Sequence, residues 1–329
     1  MLHPADITRP IQEEFRRFEK LFEESVCTDN PLLEEIWAYV LSKRGKQLRP
    51  QLVLLSAGAC RGITDKSLLT AVALELLHTA SLVHDDVVDA SPMRRGGQSV
   101  QDRWTNKVAV LTGDYLLARS IACIEKLRNQ ALTSILSNIG ASLSSGELLQ
   151  LHARSSMWVS EKEYYRIIED KTARLFAACT EAGAVSTGAS ARMVGAMRRF
   201  GLHLGMCFQL KDDVLDFGDS EELDKPTMGD VRDGKATLPL LVTLQRATHE
   251  ESEALRTLCM RLHAGTAGDA FAAEQEILSY VLRYDGIRYA YNKMKEERDK
   301  ALDALSILPD SDYKRSLAAL AEYVIVRTK

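Results

Sequence analysis

Residues 64–89 read TDKSLLTAVALELLHTASLVHDDVVD. Thr64 or Asp65 is a helix N-cap, a short oxygen-bearing side chain that accepts a bond from an otherwise orphaned amide. A long apolar run follows and ends in three aspartates. The surrounding chain is built for helices. Its eight prolines stand at 4, 10, 31, 50, 92, 226, 239 and 309, with none between Pro92 and Pro226. Proline breaks helix interiors, so that stretch is open to long helices. Richness in Ala, Leu, Glu, Arg and Lys agrees. Ile11, Phe15, Phe18 and Phe22 recur at i, i+4, i+7 and i+11, and Leu33, Ile36 and Val40 follow the same logic. Further helices are expected over 104–126, 129–154, 160–187, 190–218, 238–263, 269–281, 284–306 and 311–327, punctuated by glycines such as Gly62, Gly188, Gly265 and Gly268. There is no hairpin signal, no useful strand alternation and no solenoid repeat. The polar stretch from Gly218 to Gly234 reads as a loop. The expected architecture is one all-α domain over residues 1–329.

The 329 residues are 46% apolar and 27% charged, enough for a sizeable core and against wholesale disorder. A net charge of −4 argues against a general binder of nucleic acid or anionic membranes. The six cysteines, at 27, 60, 123, 179, 207 and 259, form no C-x-x-C pair and no zinc or disulfide spacing, which fits a reducing compartment. The charged N-terminus has no apolar signal core, and no stretch reaches ~18 to 20 apolar residues. The expectation is a soluble, cytoplasmic protein without a transmembrane span.

Two acid clusters share the spacing D-D-x-x-D: Asp85, Asp86 and Asp89, then Asp212, Asp213 and Asp216. On a helix the first and last carboxylates of each stack at i and i+4, while the middle one turns aside by ~100°. Both clusters follow apolar helical runs, where the helix dipole opposes negative charge, and like charges at i, i+4 repel. A solvated helix end would explain one such cluster. Two with one spacing call for a hard cation, and Mg²⁺ is commonly held by one or two carboxylates plus substrate phosphates. A calcium loop would need a Gly and a distal Glu that are absent. Positive charge for a diphosphate then collects in order along the chain: Lys46 and Arg49 in RGKQLRP, Arg94 and Arg95, Lys171 with Thr172, Lys225, and Lys235 in DGKATLPL. Singly, each is more often a surface base; together they suit phosphate recognition. His78 lies two turns before Asp85 on the same stripe, and Gln209 stands in the same relation to Asp216.

These segments resemble the trans-isoprenyl diphosphate synthases, the polyprenyl synthetase family. The likeness runs from about residue 40 to 240 and comprises GKQLRP, ELLHTASLVHDDVVD, MRRG, AVLTGDYLLA, GELLQL, DKTARLF, FQLKDDVLDF and DGKATLPL in that order. It implies an all-α bundle of the isoprenoid synthase type around a central cavity. It also implies a homodimer and Mg²⁺, three ions per active site. The implied reaction is head-to-tail condensation of isopentenyl diphosphate with an allylic diphosphate. By resemblance, Asp85, Asp89 and Asp212 ligate metal, with Asp86, Asp213 and Asp216 in support. Arg94, Lys171 and Lys235, with Lys225 nearby, hold the allylic diphosphate, and Lys46, Arg49, His78 and Arg95 hold isopentenyl diphosphate. Lys171, Thr172 and Gln209 line the space where the allylic cation forms. The chain departs from the family pattern at Arg44 and Gln47, which flank Gly45-Lys46, and at Asp224 and Met228, where glycines are common.

Chain length is read from Ala80 and Ser81, five and four residues before Asp85. In this family bulky aromatics there accompany short products. Here both are small, and Leu77, Leu76, Ala73 and Val72 follow without an aromatic stop. A medium or long polyprenyl chain of the quinone side-chain type is expected, handed on to a membrane. Leu132, Leu136 or Ile139 is the expected floor, and residues 218–234 a candidate lid. The competing readings are a farnesyl or geranylgeranyl diphosphate synthase, a terpene cyclase, and a non-catalytic modulatory subunit of a synthase.

Overall fold

The computed structural model describes residues 4–156, 158–218 and 228–327. The principal helices are α1 (Gln12–Glu24), α2 (Pro31–Ser42), α3 (Leu48–Cys60), α4 (Asp65–Val88), α5 (Asn106–Glu125), α6 (Gln130–Ser156), α7 (Glu161–Ile168), α8 (Arg174–Ser186), α9 (Ala191–Asp216), α10 (Leu238–Arg246), α11 (His249–His263), α12 (Ala270–Arg283), α13 (Gly286–Ala304) and α14 (Asp312–Val326). The fold class is all-α, as the sequence predicts. Two compact units can be distinguished. One takes Met1–Ala141, Phe176–Gly201 and Ala304–Ala319; the other takes Ser142–Leu175, Leu202–Asp303 and Leu320–Lys329.

In the first unit α4 is the core. Thr64 caps it, accepting from Ser67 N at 3.3 Å, while Ser67 Oγ accepts from Thr64 N at 3.2 Å. Leu68, Ala71, Val72, Ala73, Leu74, Leu76, Leu77, Ala80 and Val83 are all buried, so its apolar surface is covered nearly all round. Ser120 Oγ on α5 donates to Ala73 O at 2.7 Å, locking the two helices side by side. By length and composition α4 could cross a membrane, which the sequence reading had not expected of any stretch. Most of it is buried inside the protein, as a core helix should be. In the second unit Phe217, Val231, Leu240, Leu255, Ile277 and Val281 form an apolar cluster under residues 228–235.

Three local features differ from expectation. A two-residue antiparallel ladder joins Met93–Arg94 (β1) to Gly97–Gln98 (β2) where no hairpin was expected. Its turn needs positive φ at both Arg95 (49°) and Gly96 (74°), and arginine is not a residue that announces such a turn. The helix expected over 160–187 contains a π turn at Glu169–Ala173. The one expected over 238–263 breaks at Ala247, whose ψ of 155° is extended, and restarts at Thr248, capped reciprocally with Glu251.

Candidate active site

In the first unit α4 ends at the first acid cluster. Asp89 is its C-cap, and Ala90, at φ 48°, turns the chain back. Asp85 and Asp89 are half-buried on the stacked face, whereas Asp86 is 3% exposed. Arg94 binds Asp86 Oδ1 with Nε at 2.8 Å and with Nη2. The buried aspartate thus anchors the hairpin, and the outer pair keeps its common face. His84 is held by α5: its Nε2 lies 3.1 Å from Val110 O and 3.4 Å from Asp114 Oδ1. Gly113 permits this, because a Cβ there would fall 2.2 Å from the imidazole.

The basic residues of this unit are spread along three elements. Arg49, at the start of α3, lies over the Phe176 ring with its guanidinium carbon 5.4 Å from the centroid. Arg95 donates to Lys43 O at 3.2 Å and packs against Gly45, where a Cβ would meet its guanidinium at 2.9 Å. Lys46 is exposed, and its carbonyl accepts from Gln51 at 2.7 Å. Gln47 is buried in a left-handed conformation with no partner for its Nε2. His78 is buried; desolvation, then Arg49 and Arg95, hold its imidazole well below its ordinary pKa, so it is neutral. Glu75 went unremarked in the sequence. It is 5% exposed with no hydrogen bond to Oε2, and burial, opposed by Arg49 and Arg95, raises it from 4.5 to about 7. Its position three residues before His78 was the only available signal. Ala80 is buried, and Ser81 turns its Oγ back to His78 O at 2.9 Å. Leu132, Leu136 and Ile139 are buried, and Leu77 is 4.0 Å from the position of a Cβ on Gly140.

In the second unit the π turn carries Lys171 and Thr172. Lys171 Nζ lies 2.6 Å from Glu147 Oε2, and Gln150 donates to the other oxygen at 3.3 Å. Gly146 allows the approach, since a Cβ would fall 2.9 Å from Lys171 N. Thr172 Oγ1 donates to Gln209 Oε1 at 2.9 Å, and Gln209 Nε2 donates to Asp213 Oδ1 at 3.1 Å. Asp213 is 1% exposed and also accepts from Tyr164 OH and from Leu238 N at 3.4 Å. Desolvation, then repulsion from Asp230, raises its carboxyl from 3.8 to about 7, and these three donors pull it the other way. Lys171, Thr172, Gln209, Asp213 and Lys235 line one cavity of about 160 Å³ in this unit. Lys235 reaches Asp233 at 3.1 Å and Asp230 at 3.4 Å. Asp216 accepts from the amides of Gly229 at 2.8 Å and Asp230 at 3.1 Å. Asp212 is partly exposed and binds Arg327. Glu147 lies in the GELLQL segment, which was quoted without a role for it, whereas Tyr164 and Arg327 carry no motif that would have identified them. Lys225 and Asp224 lie outside the described residues, as does most of the candidate lid at 218–234.

The donor set suits a hard divalent cation. Each cluster keeps an i, i+4 pair of carboxylates partly open, while its middle aspartate is consumed inside the protein. Among the described residues no three acidic, His or Cys side chains converge into a closed site. A hard divalent cation held by one or two carboxylates completes its shell with water and phosphate oxygen.

Residues 30–273 match the family model for polyprenyl synthetase, so the chain belongs to the polyprenyl synthetase family. It is a transferase of the prenyltransferase class, in a family whose catalysis is metal-dependent and whose substrates are isoprenyl diphosphates. It is 35% identical to octaprenyl diphosphate synthase of Haemophilus influenzae over 89% of this chain and 88% of that one. It is 34% identical to heptaprenyl diphosphate synthase component 2 of Bacillus subtilis, over 93% and 86%. The crystal structure of a decaprenyl diphosphate synthase from Rhodobacter capsulatus superposes with a TM-score of 0.91 at 33% identity, covering 98% of each chain. The fold is that of the isoprenoid synthases.

Proposed function

We propose that this protein is a Mg²⁺-dependent synthase of medium or long all-trans polyprenyl diphosphates. It adds isopentenyl diphosphate head-to-tail to an allylic primer, farnesyl or geranylgeranyl diphosphate, and repeats the addition to a length of the octaprenyl type. The observation that carries the length is the pair Ala80 and Ser81, which puts no bulk one turn below Asp85. The whole chain, 1–329, serves as one catalytic domain in the cytoplasm and passes its product to a membrane.

In this reading Asp85, Asp89 and Asp212 ligate Mg²⁺, supported by Asp86, Asp213 and Asp216. When bound, Mg²⁺ offsets the charge that develops on the departing diphosphate. Arg94, Lys171 and Lys235, joined by Lys225, hold that diphosphate, and Lys46, Arg49, Arg95 and neutral His78 hold isopentenyl diphosphate. Thr172 spends its proton on Gln209, so the remaining lone pairs of its Oγ1 face the allylic cation. Tyr164 and Asp213 fix the Gln209 amide that makes this possible. The released diphosphate takes the proton lost after carbon–carbon bond formation.

On α5, Val110, Leu111, Leu117 and Ile121 form an exposed apolar stripe, with Leu111 67% and Ile121 55% exposed. A second copy of the chain covers it in the homodimer. Similarity to a protein named as one component of a synthase favours a second reading, in which this chain works with a different subunit. One experiment tests both: purified protein alone, with Mg²⁺, farnesyl diphosphate and labelled isopentenyl diphosphate, followed by chromatography of the products. Products in the heptaprenyl to decaprenyl range, the span of the named relatives, support the proposal. Products ending at C20 would make it a short-chain synthase, and no product would favour the subunit reading.

A further inference from the structure

Arg327 has a built seat on α9. Its Nη2 donates to Phe208 O at 3.1 Å and to Asp212 Oδ1, so one nitrogen ties together positions i and i+4 of a single helical turn. The guanidinium carbon lies 4.1 Å from the centroid of the Phe208 ring. Its side chain is 9% exposed, against 40% for Asp212. The arginine is therefore the fixed partner, and the aspartate leans on it.

The two acid clusters use arginine differently. Arg94 binds the buried middle aspartate of the first cluster, Asp86. Its counterpart in the second cluster, Asp213, is satisfied by Tyr164, Gln209 and a backbone amide, none of them charged. The arginine of the second cluster goes instead to the outer aspartate. Arg327 holds one oxygen of Asp212 from a fixed seat, which restricts the rotation of the whole carboxylate. Without such a tie, ligating carboxylates pay rotamer entropy on binding, and loss of an outer-shell partner commonly weakens a metal site ~10 to 100-fold.

We propose that Arg327 is a positioning residue that orients Asp212 to ligate the divalent cation of the second cluster. This rests on the reading that Asp212 is a metal ligand, so the experiment separates the two. The full chain is saturated with farnesyl thiolodiphosphate, which does not ionise, and titrated with Mn²⁺ while free Mn²⁺ is followed by electron paramagnetic resonance. Arg327→Gln is expected to weaken the site about 10 to 100-fold. Arg327→Lys keeps the charge but loses the planar fork, and should fall nearer the glutamine variant than wild type. Asp212→Asn is the control. If it binds Mn²⁺ like wild type, Asp212 is no ligand and the underlying reading fails. If it binds weakly while Arg327→Gln binds as wild type, only the positioning role fails. Tighter binding by Arg327→Gln overturns the proposal too, and makes the guanidinium a competitor for the ligand. Circular dichroism checks that each variant folds. Should Arg327→Gln not fold, Phe208→Leu removes the ring beneath the guanidinium and should weaken Mn²⁺ in the same direction; unchanged binding there also overturns the proposal.

Discussion

Ala80 and Ser81 each lack the ring an aromatic residue would carry, and that missing bulk sets the proposed product. Ala80→Phe or Ser81→Phe should shift the products to shorter chains on reversed-phase chromatography with primer turnover retained; unchanged lengths would sink the assignment. In the proposed reaction Lys171 is a more direct contact with the substrate. Lys171→Ala should lower kcat by about 10² to 10³, the usual effect of removing one group that stabilises charge in the transition state. Glu75 makes a prediction about pH. Its carboxyl is raised from 4.5 to about 7 in the folded chain. Between those values the folded state holds a proton that the unfolded state has released, so stability falls as pH rises through this window. The slope is at most about 1.4 kcal/mol per pH unit. Glu75→Gln should remove that component, gaining stability relative to wild type from pH 5 to pH 7 in urea melts. A constant difference across the window would show that Glu75 does not titrate there.

At the scale of an element, the π turn at Glu169–Ala173 decides where Lys171 and Thr172 point, and π turns recur at functional sites. The turn survives because Gly146 leaves room for the backbone of Lys171. Gly146→Ala puts a methyl 2.9 Å from that amide, so the turn must shift. A displacement near 1 Å can cost about 10²-fold in rate. The expected result is a large loss in kcat with a thermal melt close to wild type; full activity would show that the turn tolerates the move. A cap at Thr64 or Asp65 was legible in the sequence, because N-cap chemistry is local; the structure selects Thr64 and adds the reciprocal bond from Ser67. The break at Ala247 was less so, since the apolar pattern runs across it and only the Thr248–Glu251 box marks the restart.

For the whole molecule, the uncovered stripe on α5 predicts association. Leu111→Glu with Ile121→Glu should convert a dimer to a monomer in light scattering coupled to size exclusion. A wild-type monomer at micromolar concentration would rule out the proposed interface.

Much of this protein is local chemistry, and local chemistry can be read in order along the chain. Helix propensity, the placement of prolines, the caps and the two D-D-x-x-D spacings need only neighbours within a turn or two. They determined the all-α class and the stacked i, i+4 spacing of the outer aspartates. Tertiary structure decided which carboxylates are spent internally: Asp86 on Arg94, eight residues on, and Asp213 on Tyr164, 49 residues back. It also decided that Arg327 reaches Asp212 across 115 residues and that Glu75 lies buried among bases. Such pairings depend on desolvation and on contacts between distant segments, and neither has a period or a spacing by which a sequence could announce it.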